Sequence, residues 1–270
     1  METQGPFWLE PYPVTFPPTE LALEDPNGLL AIGGGLTVEW LLHAYQKGIF
    51  PWFSPGEPIL WWSPNPRSVL LPEQFKIARS LKQKIKKQPY SITLDKDFKS
   101  VLQKCANIPR PGQDGTWITD EIKQAYHQLH QSGYAHSVEA WDQAGNLVGG
   151  LYGVALGKVF YGESMFALKP DASKIAFTAL VMQLQDWEFQ LIDTQVETDH
   201  LNRFGAKNML RAEFEQMLKK ATAQPAPPKK WQFECDWQSR ALAQINATNL
   251  KKLVAEKKLQ YNGRFLKNAK

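Results

Sequence analysis

Glu163, Asp193 and Gln195 are the residues of this 270-residue chain whose types and spacing best suit chemistry. Asp193 and Gln195 alternate with Ile192, Thr194 and Val196 in LIDTQV (191–196). An extended strand would turn the carboxylate and the amide to one face and Ile192 and Val196 to the other. Either polar residue alone reads as a position facing solvent. Glu163 shifts that balance, because in YGESMF it sits between ring and thioether neighbours, where an ionised carboxylate is costly without a partner. Three such groups from neighbouring elements of one sheet can accept hydrogen bonds from an amine and later take its proton.

Two further stretches suit binding. Residues 45–67 (YQKGIFPWFSPGEPILWWSPNPR) hold six aromatics and five prolines with little periodicity, so a rigid segment that is neither helix nor strand is expected. Its rings can pack a small domain or grip a flat ligand such as a nucleobase. Phe50, Phe53 and one of Trp61 and Trp62 read as core, whereas Tyr45 and Trp52 suit either use. Lys76, Arg79, Lys82, Lys84, Lys86 and Lys87 fall within twelve residues that contain no acid, and Ile77, Leu81 and Ile85 recur every four residues. That pattern predicts an amphipathic helix with basic flanks, whose mutual repulsion a phosphate backbone would relieve.

The elements that must position these groups are legible in outline. Thr37 is placed to cap a helix running to Lys47 and closed by Gly48, Asp95 another through about Lys104, and Thr119 a third that ends before Gly133. Residues 136–142, 147–156 and 159–166 read as an antiparallel meander with turns at 143–146 and 157–158. A long helix over about 171–187, a strand at 190–196 and short helices near 199–204 and 211–219 complete an α+β sheet with flanking helices.

Composition narrows the class. With 43% hydrophobic and 21% charged residues the chain can bury a full core. No run nears the roughly 20 apolar residues of a membrane span, and METQGPFWLEPYP lacks the basic start of a signal peptide. A cytoplasmic protein with no membrane partner is therefore expected. Cys105 and Cys235 have no C-x-x-C partner and read as reduced thiols, and His127 and His130 read as a helix-surface pair, so no metal is expected. The net charge of +4 hides an asymmetry: residues 1–218 hold 19 Lys/Arg against 24 Asp/Glu, and residues 219–270 hold 12 against 3.

Taken together, FPP (16–18), EDPNGLLAIGG (24–34), AYQKGIFPWFSPGEPILWWSPNPR (44–67), GTWIT (115–119), AHSVEAW (135–141), LVGGLYGVALGKVFYGESMF (147–166), ASK (172–174) and LIDTQV (191–196) resemble the leucyl/phenylalanyl-tRNA–protein transferase family, in the family's order, from Phe16 to about Cys235. The resemblance implies an aminoacyltransferase that moves Leu or Phe, with Met as a further donor, from aminoacyl-tRNA to proteins beginning with Arg or Lys, creating a degradation signal. It implies a small N-terminal domain (1–66), a catalytic domain (67–235) similar to the CoA-dependent N-acyltransferase fold, and a basic tail (236–270) with no family counterpart. An aminoacyl ester is already activated, so no cofactor, metal or covalent nucleophile is implied, and a monomer suffices.

By the same resemblance Gln195 contacts the attacking α-amino group, Asp193 orients it or stabilises charge, and Glu163 faces the acceptor's basic residue. Tyr45, Trp52 and Trp117 match aromatics around the donor's terminal adenosine. Leu151, Phe160, Met165, Leu180 and Ile192 match the apolar pocket for the donor side chain, with Leu where the family pattern has Met at 151 and Phe at 180. Lys76, Arg79, Lys82, Lys84, Lys86 and Lys87 match the surface that meets the acceptor stem, and residues 236–270 suggest a second basic helix.

Two alternatives stay open at this level. A CoA-dependent N-acyltransferase would need Q/R-x-x-G-x-G/A before the long helix, where this chain has ALKPDASK (167–174). A non-catalytic tRNA-binding protein would explain the basic stretch and the aromatics but leave Glu163, Asp193 and Gln195 without a task. The glycines at 33–35 precede no Gly-Lys-Ser and read as a tight turn.

Overall fold

The computed structural model describes residues 5–109 and 116–243. A small four-stranded sheet is built from β1 (Phe7–Leu9), β2 (Leu29–Gly33), β3 (Phe50–Pro51) and β4 (Leu60–Trp62), in the order β1-β2-β4-β3, with α1 (Val38–Gln46) between β2 and β3. The aromatic segment 45–67 is thus not devoid of strands: Phe50 pairs with Trp62 and Pro51 with Trp61. These strands are two and three residues long, too short for any alternation to show in sequence. Phe50, Phe53 and Trp61 are core residues, as expected.

A seven-stranded mixed sheet follows, in the order β11-β5-β10-β9-β8-β7-β6. Its strands are β5 (Arg67–Leu70), β6 (Ser91–Leu94), β7 (Ala135–Trp141), β8 (Leu147–Leu156), β9 (Val159–Ala167), β10 (Leu191–Gln195) and β11 (Lys207–Met209). Its helices are α2 (Arg79–Lys86), α3 (Phe98–Asn107), α4 (Asp120–Gln131), α5 (Ala172–Asp186), α6 (Asp199–Asn202) and α7 (Arg211–Thr222). Every neighbouring pair in this sheet is antiparallel except β9 and β10, which are parallel and joined by the α5 crossover.

Alternation along β9 and β10 divides the core in two. Val159, Tyr161 and Leu191 pack with α3, α4 and α1, while Phe160 and Ile192 pack with α5 and with Leu81 and Ile85 of α2. Covered on both faces, β8 is buried at all ten positions.

The caps follow from local chemistry. Thr37 and Thr119 accept the main-chain N–H groups of Trp40 and Ile122, each at 3.3 Å, and Gly48 and Gly133 lie at positive φ after their helices. Asp95 does not cap α3; Asp97 does, accepting Ser100 N–H at 3.1 Å. Asp95 instead adopts φ +52 and accepts the N–H groups of Ser137 and Trp231 at 2.9 and 3.1 Å, with His136 Nδ1 at 2.8 Å. It thereby fastens the segment after α7 to the sheet. Cys105 is buried on the apolar side of α3 with Phe98, Val101 and Leu102. The second basic helix expected in the tail falls, from residue 244 on, outside the described residues.

Candidate active site

The ladder between β9 and β10 runs from Val159/Leu191 to Tyr161/Asp193 and stops, whereas β9 continues along β8 to Ala167. A cavity of about 460 Å³ lies where the two strands part. Its walls include residues 162–165 of β9, residues 194–196 at the end of β10, Leu151, Phe160 and Ile192, with Trp52 and Trp117. Phe177 of α5, His200 and Leu201 of α6, and Phe50, Pro51, Tyr152 and Thr198 also line it.

Two β-bulges aim the polar groups. Along β8 and β9, Tyr152 pairs with Ser164 and Gly153 with Gly162, so Glu163 is the extra residue, freed from the ladder to face the cavity. Gly153 permits this approach, since a Cβ there would lie 2.2 Å from the Tyr161 carbonyl oxygen. Along β5 and β10, Val69 pairs with Asp193 and Ser68 with Gln195, leaving Thr194 as the extra residue.

That second bulge corrects the simple alternation. Ile192, Thr194, Gln195 and Val196 line the cavity, while Asp193 does not and is fully buried. Arg67 takes up its carboxylate: the guanidinium Nε and an Nη donate to the two oxygens at 2.8 and 2.7 Å. Asp193 Oδ1 also accepts the Gln195 main-chain N–H at 2.9 Å. Asp193 therefore lies behind the wall rather than on it.

Gln195 donates from its side-chain amide to Glu163 Oε1 at 3.1 Å, and Tyr126 donates its hydroxyl to Oε2 at 2.9 Å. The Tyr126 hydroxyl is bonded in turn to that of Tyr45, whose main-chain carbonyl accepts from the Tyr161 hydroxyl at 2.8 Å. Burial pushes Glu163 up to about 7, opposed by the Tyr45 and Tyr126 hydroxyls. Burial and the charge of Glu163 hold both tyrosines well above their ordinary range, so they remain protonated. Near neutral pH the Glu163 carboxyl is thus poised between its two forms.

The binding residues divide similarly. Trp52 is 41% exposed at the cavity, its carbonyl fixed by the Trp62 indole N–H at 2.6 Å, and Trp117 lies on the same wall. Tyr45 is fully buried and off the cavity, so its ring has no free face for a base. Leu151, Phe160, Met165 and Ile192 line the cavity, but Leu180 is sealed in the core; Phe177, one turn earlier on α5, reaches the wall instead.

Five of the six basic residues at 76–87 are exposed and Lys82 is half-buried, while the Lys76 N–H donates to Phe204 O just beyond α6, at 2.8 Å. The stretch thus begins beside the segment that follows α6, and its helix α2 packs on α5. It does have a compensating acid, supplied by the fold: Lys84 pairs with Asp171, which also holds Lys174 at 2.6 Å. Among the described residues the other five make no ion pair. Asp171 also stands at the start of α5, where a phosphate cradle would need open amides, and no group of three or more His, Cys, Asp or Glu suited to a metal occurs among the described residues.

Arg67 and Tyr126 were not singled out from sequence. Arg67 ends the aromatic segment, and Tyr126 belongs to the apolar stripe of α4; neither carries a local signal of its partner, 126 and 37 residues away. His200 was likewise missed.

A family model described as leucyl/phenylalanyl-tRNA protein transferase matches residues 69–219, and one for the N-terminal domain of that family matches residues 34–65. A curated relative of that name from Hydrogenovibrio crunogenus is 59% identical over 88% of this chain and 93% of its own length. Relatives of the same name from Saccharophagus degradans and Cellvibrio japonicus are 57% and 53% identical, covering 82% and 86% of this chain and 90% and 98% of theirs. Among solved structures, L-PGS from Bacillus licheniformis aligns with 64% of this chain and 57% of its own at 11% identity and a TM-score of 0.37, too faint a likeness to carry an argument.

Proposed function

The chain belongs to the leucyl/phenylalanyl-tRNA–protein transferase family and is a transferase, and from that premise we propose that it moves Leu or Phe, with Met as a further donor, from aminoacyl-tRNA to proteins beginning with Arg or Lys. The product carries a bulky apolar N-terminus that serves as a degradation signal. The observation that carries this reading is the pairing of Glu163 and Gln195 on one wall of a cavity whose other walls are mostly apolar and aromatic.

The ester of the donor needs no further activation, so the task is to align an uncharged amine with its carbonyl. The Gln195 side-chain carbonyl, left free because its amide donates to Glu163, accepts from the attacking α-amine. Glu163, when ionised, receives the acceptor's Arg or Lys side chain in a charge-assisted bond. The apolar wall takes the donor side chain, Trp52 and Trp117 take the terminal adenosine, and the basic residues of 76–87 hold the acceptor-stem phosphates. This division of labour has residues 1–66 share the donor's terminal base with Trp117 and assigns 67–235 to transfer and 236–270 to auxiliary contact with tRNA, in a monomer acting in the cytoplasm. Among the described residues no helix is long and apolar enough to cross a membrane.

The test is transfer of radiolabelled Leu or Phe from charged tRNA to a peptide with N-terminal Arg, beside the same peptide acetylated. Label on the free peptide alone is expected. Bound tRNA without transfer would return the weight to a binding protein, and acylation from acyl-CoA would favour the acyltransferase alternative.

A further inference from the structure

Arg67 is a charge taken wholly out of solvent, with 1% of its side chain exposed. The rings of Phe50 and Phe214 each lie 4.8 Å from its Cζ. Phe50 comes from the small sheet, Phe214 from α7 and Arg67 from β5, so three elements distant in sequence fix one planar group. Its fork in turn fixes the plane of the Asp193 carboxylate.

The consequence appears at Gln195. Its φ is +62, and the Val196 N–H donates to Thr194 O at 2.8 Å, which defines a γ-turn of the kind seldom adopted by a residue with a Cβ. The Gln195 N–H is turned inward by that geometry and finds Asp193 Oδ1 at 2.9 Å. A carboxylate free to rotate would not hold it there.

We propose that Arg67 is a positioning residue for aminoacyl transfer: by locking Asp193 it keeps Gln195 in the turn that aims its amide at Glu163 and the cavity. The inference rests on the transfer function proposed above. Arg67 and Asp193 both lie off the cavity wall, which they reach through Gln195 and through the Phe50 ring packed on the guanidinium. Lysine at 67 would keep the charge but lose the fork, because an ammonium is a point donor that cannot define a plane.

The test is single-turnover transfer of labelled Phe from Phe-tRNA to an Arg-starting peptide, with enzyme in excess, by wild type and Arg67→Lys. A misplaced amide is expected to lower the rate constant by about 100-fold, with amplitude unchanged and Phe-tRNA affinity within about twofold. A merely structural role would instead lower the amplitude and leave the rate constant of the surviving enzyme at the wild-type value, which would overturn the proposal. Should Arg67→Lys fail to fold, the double variant Arg67→Met/Asp193→Leu substitutes an apolar pair for the ion pair and preserves packing. Its rate constant is expected to fall at least as far, and a wild-type value would count equally against the proposal. A wild-type enzyme that transfers nothing would instead contradict the transfer function itself.

Discussion

Glu139 and Glu163 are two carboxylates drawn into the same sheet, on β7 and β9, and their surroundings differ in kind. Glu139 is fully buried and accepts four hydrogen bonds, from the hydroxyls of Thr93 and Ser137 and the main-chain N–H groups of Lys96 and Asp97. Glu163 accepts from Tyr126 and Gln195 and opens on the cavity. Burial raises both, and at Glu139 all four donors oppose the rise. A carboxylate whose donors are complete ties strands and loops together. One left on a cavity wall with capacity to spare can take a ligand.

The largest expected contrast lies in rate. Gln195→Ala removes the amide paired with Glu163 and is expected to lower single-turnover transfer by at least about 100-fold while Phe-tRNA binding stays within about twofold. Loss of binding in parallel with rate would make Gln195 a wall residue and erase the distinction between the two carboxylates' settings.

Stability should separate the pair in opposite directions. Glu139→Ala strands four donors in the core and is expected to cost about 3 kcal/mol in urea unfolding at pH 7. Glu163 has the reverse sign. Its folded value of about 7 lies above its ordinary 4.5, so the folded chain binds the proton more tightly. Glu163 therefore favours folding less as pH rises from about 4.5 through 7, and Glu163→Gln is expected to flatten that decline, a gain of roughly 2 kcal/mol at pH 8 relative to pH 5. Equal pH dependence in wild type and Glu163→Gln would show that the carboxyl is not held in its neutral form by burial.

These contrasts also mark how much the sequence could disclose. The meander, α5 and the caps at Thr37 and Thr119 were readable because each rests on a local pattern of two to four residues. Asp97 and Asp95 compete for one cap, and only the distant partners His136 and Trp231 decide which of them turns away. Glu163 and Gln195 were legible as unusual polar residues in apolar strands. The bulges that aim them were not, because a bulge breaks the alternation from which a face is inferred. By the same route Asp193 was expected on the cavity face, yet its partner Arg67 lies 126 positions earlier. Tyr126 behind Glu163 was hidden differently: a buried ring in an apolar stripe looks like packing whatever its hydroxyl does.

Smaller effects sharpen the binding side. Trp52→Ala should weaken Phe-tRNA binding by about 1–3 kcal/mol, the loss of one stacking face, whereas Tyr45→Phe should leave binding unchanged and act on Glu163 alone. Unchanged affinity in Trp52→Ala would leave the exposed indole without a role in donor recognition. Smallest is the effect of single charges. Lys86→Ala and Lys87→Ala should each lower the salt slope of tRNA binding by about one, and Lys84→Ala by less, because Asp171 already engages that ammonium. Three equal slopes would mean that the Lys84 ion pair opens on binding.

The most direct test of the central claim, that the unsaturated carboxylate on the parted strands selects the acceptor, is single-turnover transfer of labelled Phe to peptides that differ only in N-terminal Arg or Ala, by wild type and Glu163→Gln. Wild type is expected to favour Arg by at least about tenfold, and Glu163→Gln to lose most of that preference while still transferring label. An undiminished preference for Arg in Glu163→Gln would contradict the account and move acceptor recognition elsewhere on the cavity rim.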